Sequence, residues 1–186
     1  MSAIATKLMT FEEYAPIYGD LPYELVKGIP TEIPFGRTAH SGWVLVNFMS
    51  ALMEYVREHD SGLISGGDNY VIIRRNPDTV LGADISFYSY SSFPENMETG
   101  DPAWNYAIPE LIAEVIPTED RQSEFEGKPE EYLQAGVRIV LVINPYTDML
   151  TLYRKNEIPQ VFDNGDTLTL PDLLPGLEIP VKSLFE

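Results

Sequence analysis

The chain contains no cysteine. That excludes disulfides and thiolate metal sites, and it suits a cytoplasmic protein. Only two histidines occur, His40 and His59, too few for a multi-histidine zinc centre. No run of about 18 apolar residues exists, so no membrane span is expected. Residues 1–10 hold one lysine and no long apolar stretch, so no secretory signal is expected either. Basic residues are scarce: 12 stand against 29 acidic ones, a formal net charge of −17. Such a balance points away from a surface coated for phosphate binding and lowers the expectation of a nucleic-acid partner, without assigning another partner. A glycine-rich loop of the P-loop type is missing, and so is a serine–histidine nucleophile signature.

What is present reads as one globular domain over residues 1–186, with 44% hydrophobic and 11% aromatic residues, long enough for a full core. Its organising stretch is residues 109–145. Residues 110–116 are apolar at both parities, as in a strand buried between two layers. Residues 139–143 (Ile-Val-Leu-Val-Ile) are apolar throughout and rich in β-branched side chains, which predicts a central strand. A helical segment ending at Ala135-Gly136 lies between them, with Gly136 as C-cap. Strand, crossover helix and strand form a βαβ unit, so the two strands should be parallel neighbours.

Two charges fall inside this unit. Glu114 interrupts the first strand. Arg121, Phe125, Lys128, Tyr132 and Ala135 recur at helical spacing on the face that should pack on the sheet, which turns Lys128 inward. A buried ammonium or carboxylate needs a partner or a metal. One cleft shared by Glu114 and Lys128 answers both requirements.

Elsewhere, Thr10 and Glu13 make a capping-box pattern that starts a short helix running to Tyr18. Residues 22–27 and 29–35 should pair as a hairpin, with Pro30 and Pro34 consigning the second strand to an edge. Residues 39–59 form the longest helical pattern, with Val44, Leu45, Phe48, Leu52, Tyr55 and Val56 as its apolar stripe. Residues 62–65 and 69–74 read as two strands separated by a Gly66-Gly67 turn. Residues 82–88 read as a strand with Ala83, Ile85 and Phe87 on one side and Asp84, Ser86 and Tyr88 on the other. A long loop over residues 89–108 carries Tyr90, Phe93, Trp104 and Tyr106, which could stack on bases, bury in a dimer contact or pack the loop down. Strand patterns at residues 149–154, 160–162 and 166–170 and an extended tail at 175–181 complete an α/β architecture with a mixed sheet, flanking helices and a β-rich C-terminal extension.

Asp84, Glu114 and Lys128 are the chemically interesting set. Two carboxylates from adjacent strands can hold Mg²⁺, which favours hard oxygen ligands and keeps several waters. A lysine beside them can orient water or stabilise developing charge. That suits phosphodiester hydrolysis. A structural ion pair between Glu114 and Lys128, with Asp84 facing solvent, fits the same pattern, and the pattern alone leaves both readings open.

Taken in order, several segments resemble the Uma-type (Uma-two) putative restriction endonuclease family of the PD-(D/E)XK nuclease superfamily. They are Thr10-Phe11-Glu12-Glu13-Tyr14, Tyr23-Glu24-Leu25-Val26-Lys27-Gly28, Ala83-Asp84-Ile85-Ser86-Phe87, Pro109-Glu110-Leu111-Ile112-Ala113-Glu114-Val115, Glu131-Tyr132-Leu133-Gln134-Ala135-Gly136-Val137 and Leu141-Val142-Ile143-Asn144-Pro145. No single piece is specific; their order is. The resemblance implies a restriction-endonuclease-like core, Mg²⁺ (with Mn²⁺ as the alternative) and DNA as substrate. It places Asp84 and Glu114 at the two acidic metal positions. The usual third position, two residues after Glu114, is Ile116, and Lys128 on the following helix takes the lysine's place. Glu24 matches a further acidic position, and His40 a histidine that opens the long helix and could contact phosphate or simply satisfy backbone. Two departures bear on this: Ala83 stands where proline is more usual, and Pro129 directly after Lys128 should break or restart the helix there. By analogy with enzymes that cut two strands, a homodimer is expected. Two other readings stay open on the acidic charge: an interaction module that keeps the nuclease fold, and a hydrolase of a smaller phosphate compound.

Overall fold

The computed structural model describes residues 7–34, 36–92 and 106–186. Thr10 caps helix α1 (Phe11–Tyr18). Its hydroxyl accepts from the Glu13 N–H at 3.3 Å, and the Glu13 carboxylate accepts from the Thr10 N–H at 3.1 Å, which is the reciprocal pair expected of this sequence. Strands β1 (Tyr23–Val26) and β2 (Ile29–Glu32) form an antiparallel hairpin, with proline-bearing β2 at the sheet edge. Helix α2 (Ala39–Glu58) buries Val44, Phe48, Leu52 and Val56 along one stripe.

Strand β3 (Gly62–Arg74) is continuous, where two strands and a turn were expected. It pairs antiparallel with β4 (Thr79–Ser89) along almost the whole length, and Gly66-Gly67 lies in a bulge. Gly66 faces Ile85 while Asn69 faces Ala83, so β3 carries one extra residue opposite Asp84. Gly67, at φ +90°, supplies the left-handed backbone that the bulge requires. The alternation expected of β4 also changes here. Ile85 and Phe87 enter the core beneath α2, but Ala83 joins the cluster on the opposite face. A bulge raises local twist and re-aims side chains, which accounts for the switch.

Strands β5 (Leu111–Val115) and β6 (Ile139–Asn144) are parallel, with Leu111 opposite Ile139 and Val115 opposite Ile143. Every residue of both strands is buried, as predicted for the βαβ unit. The crossover is not one helix. A 3-10 helix (Glu119–Phe125) and helix α3 (Lys128–Ala135) are separated at Glu126-Gly127. Pro129 has no N–H and its ring would clash with the carbonyl four residues back, so the helix restarts with Lys128 and Pro129 in its first turn. The single helical face expected from Arg121 to Ala135 is therefore split. Phe125 packs with Ile116 and Val142, whereas Tyr132 and Leu133 pack on Ile112 and Val140. Gly136, at φ +113°, closes α3 in the left-handed conformation.

Strands β7 (Met149–Tyr153) and β8 (Gln160–Phe162) extend the sheet, and β9 (Thr167–Leu170) pairs with β10 (Leu174–Pro180) in a separate two-stranded sheet. Among the described residues the large sheet has eight strands, ordered β2-β1-β4-β5-β6-β7-β8 with β3 on β4. One face packs on α2 and the C-terminal strands, the other on α3. No described helix is long and apolar enough to cross a membrane.

The pairing leaves an opening in the sheet. A strand has two edges, and β3 fills one edge of β4 from end to end. Strands β1 and β5 must share the other. β1 meets it at Val80, and β5 at Ile85, Ser86 and Phe87. Residues 81–84 of β4 lie between those two contacts.

Candidate active site

Carboxylates fill this opening. Glu24 of β1, Asp84 of β4 and Glu114 of β5 are 7%, 4% and 3% exposed. Strand ends leave N–H groups without ladder partners, and buried ones must find acceptors. Glu24 Oε1 takes the Gly82 N–H at 3.2 Å, and Asp84 Oδ2 takes the Val115 N–H at 2.8 Å. Thus the splayed sheet itself fixes two of the acids.

Cations reach in from two other elements. Lys128, in the first turn of α3, places Nζ 3.0 Å from Glu24 Oε1 and 3.7 Å from Glu114 Oε1. Its Nζ also lies over the Phe125 ring, 5.5 Å from the ring centre. Arg37, in the connection before α2, pairs with Asp84 Oδ1. That connection is sewn to the end of β5: the Thr38 N–H donates to Pro117 O at 3.1 Å and the buried Ser41 hydroxyl to Ile116 O at 2.9 Å. Tyr132, fully buried on α3, donates its hydroxyl to Glu114 Oε1 at 2.8 Å.

Burial is the main cause that raises the Glu114 pKa, from 4.5 to about 7. Asp84 and Glu24 raise it further, against the pull of Lys128 and the Tyr132 hydroxyl. Burial works against the Lys128 ammonium, but Glu114, Glu24 and Asp84 outweigh it and hold the pKa above the usual lysine value. Burial, and then the neighbouring Glu114, raises the Tyr132 phenol well above its ordinary range. Glu24, Asp84, Glu114 and Lys128 line a cavity of about 1070 Å³ bounded also by Arg37, Arg121 and Tyr70.

Four of the five expected site residues, Glu24, Asp84, Glu114 and Lys128, converge here. His40 does not. It is exposed in the first turn of α2, edge-on to Tyr146 at 6.5 Å between ring centres, and it does not line the cavity. The cap on Thr38, whose Oγ1 accepts from the Ser41 N–H at 3.1 Å and lies 3.0 Å from the Tyr146 hydroxyl, sets the first turn in that orientation. Of the two places where basic residues adjoin, Arg74-Arg75 and Arg154-Lys155, Arg75 pairs with Glu12 and Asp78 and Arg154 with Asp172. In the long loop, Phe93 and Trp104 lie outside the described residues. Tyr90 is exposed, and Tyr106 donates to Glu12 with the Arg75 guanidinium over its ring at 5.2 Å. Arg37 and Tyr132 were not legible as site residues. Tyr132 reads as core, and Arg37 stands in a short polar connection with no periodicity; its only local signal is its place just before the capping Thr38.

Among the described residues, no group of three or more His, Cys, Asp or Glu side chains is placed to hold a metal ion. The donors fit an ion that takes two hard oxygens and keeps water for the rest, as Mg²⁺ does, better than one needing a full protein cage.

The mixed sheet with one parallel βαβ unit, and acids at its split edge, defines a restriction-endonuclease-like fold. The chain belongs to the Uma2 family, "Putative restriction endonuclease", whose model matches residues 10–182. A crystal structure of "a putative nuclease belonging to DUF820" from Anabaena variabilis ATCC 29413 shares the fold, with a TM-score of 0.79 and 20% identity over 95% of this chain and 97% of that one. No curated protein matches the chain.

Proposed function

We propose that the protein is a Mg²⁺-dependent DNA endonuclease whose site is Asp84, Glu114 and Lys128, with Glu24 in support. One observation carries the reading. Two buried carboxylates on neighbouring strands face one cavity, and an ammonium lies within 3.7 Å of one of them. Asp84 and Glu114 would hold the ion. When bound, Mg²⁺ (or Mn²⁺) would acidify a water and offset charge on the phosphoryl oxygens. The chain's own groups do the remainder. Tyr132 fixes the Glu114 carboxylate through its hydroxyl. Glu24 anchors Lys128, which keeps its proton and presents positive charge where the phosphoryl group gains negative charge. His40 has no part in this machinery. Cutting both strands of a duplex calls for two such sites, which favours a homodimer.

The test is cleavage of duplex and single-stranded DNA in Mg²⁺ or Mn²⁺ by the wild type, Asp84→Asn, Glu114→Gln and Lys128→Met. Each variant should lose activity on the order of 10²–10³-fold. Unchanged cleavage by Asp84→Asn or Glu114→Gln would place the chemistry elsewhere. The net charge of −17 favours a second reading, a nuclease fold kept as an interaction module. DNA binding by the purified protein that weakens with salt would count against it.

A further inference from the structure

Arg37 has no role in the reading above, yet it sits on the oxygen a divalent ion would need. Asp84 Oδ2 is turned to the backbone and accepts from the Val115 N–H. Oδ1 carries the Arg37 guanidinium. The same guanidinium has a buried Nη1 with no hydrogen-bond partner. Among the described residues it is the only cation left with such a donor. A buried N–H without an acceptor is uncommon and costs free energy. Arg37 also lines the cavity, so a turn of its guanidinium would bring this donor to an acceptor that enters with a ligand.

We propose that Arg37 alternates between two acceptors. It neutralises Asp84 while no ion is bound, and it turns to a phosphate oxygen of the nucleic acid when a divalent ion takes Asp84. This rests on the endonuclease reading. The physical reason is competition for one carboxylate. A guanidinium and a dication repel each other in a poorly solvated site, so both cannot use Asp84 at full strength. The planar fork of arginine matches phosphate as well as it matches carboxylate. Ion and substrate then support each other, because the phosphate gives Arg37 somewhere else to go. Arg37 is positioned for this exchange by a connection held at Pro117 and Ile116 and by Arg121, whose Nη1 donates to Pro34 O at 2.9 Å.

Mn²⁺ affinity is to be measured by calorimetry without DNA, and the affinity of a short duplex by fluorescence anisotropy in Ca²⁺, for the wild type, Arg37→Gln, Arg37→Lys and Glu114→Gln. Arg37→Gln should bind Mn²⁺ on the order of tenfold tighter than the wild type, because a repelling charge is gone. It should bind the duplex about tenfold more weakly, because a charged donor to phosphate is lost. Arg37→Lys keeps the charge and loses the fork, so it should hold Mn²⁺ like the wild type and still bind the duplex weakly. If Arg37→Gln does not fold, the lysine variant decides, and duplex affinity equal to the wild type overturns the proposal. If the wild type binds Mn²⁺, Glu114→Gln does not, and Arg37→Gln binds no tighter than the wild type, Arg37 is not a competitor while the metal site stands. If no form binds Mn²⁺ alone and none binds the duplex in Ca²⁺, this proposal and the metal site fall together.

Discussion

Glu114 shows how one residue can be buried, charged and useful together. Its carboxyl is removed from water and set near Asp84 and Glu24, and both effects favour the protonated form. Raised from 4.5 to about 7, it binds a proton more readily in the folded protein than in the unfolded chain. Its contribution therefore favours folding below about pH 4.5 and is lost as pH rises through about 7. Without divalent ions, Glu114→Gln should gain stability relative to the wild type as pH rises across that window. Urea denaturation at a series of pH values measures it, and a difference that stays constant with pH would show an unshifted carboxyl. Glu114 was legible because a charge inside an apolar strand demands a reason, and Asp84 because it stands on the polar side of a strand expected next to it. Arg37 was not, because an arginine in a polar connection demands none.

Among the elements, the start of α2 does the most to shape the site. Ser41 is fully buried and its hydroxyl satisfies Ile116 O, just past the strand that carries Glu114. Ser41→Ala should leave that carbonyl unpaired and destabilise the protein by about 1–2 kcal/mol. It should also loosen the Arg37 connection, so chemical denaturation is to be paired with Mn²⁺ titration of the same variant. No loss of stability would mean that Ile116 O finds another donor. The length and stripe of α2, the parallel βαβ pair and the restart at Pro129 all follow from local pattern and proline chemistry. The bulge opposite Asp84 does not. Gly66-Gly67 satisfies a turn and a bulge equally well, and only the continuous pairing of β3 with β4 selects the bulge.

At the scale of the whole molecule, a net charge of −17 opposes approach of a polyanion. Three buried carboxylates pair with Lys128 and Arg37 in the cavity, and Arg121 on its wall is paired with Glu124. Binding of DNA should therefore depend on divalent ions. A duplex should be retained in Ca²⁺ and released in a chelating buffer of the same ionic strength, by gel shift or anisotropy. Equal binding in both buffers would mean that DNA is held elsewhere on the surface.

Fold class, most of the element order and the inward placing of Glu114 and Lys128 are legible in the sequence alone, because hydrophobic period, caps and misplaced charges are local properties; Glu24 was expected only from the family resemblance. The tertiary structure decided what depends on distant partners. Strands β1 and β5 share one edge of β4 and leave it open at residues 81–84. Glu24, Asp84 and Glu114 meet there from three strands, Arg37 arrives beside them because α2 is stitched to the end of β5, and His40 is turned away on the same helix. No window of sequence encodes which strand fills which edge, since that follows from the packing of the whole sheet between its two helical faces.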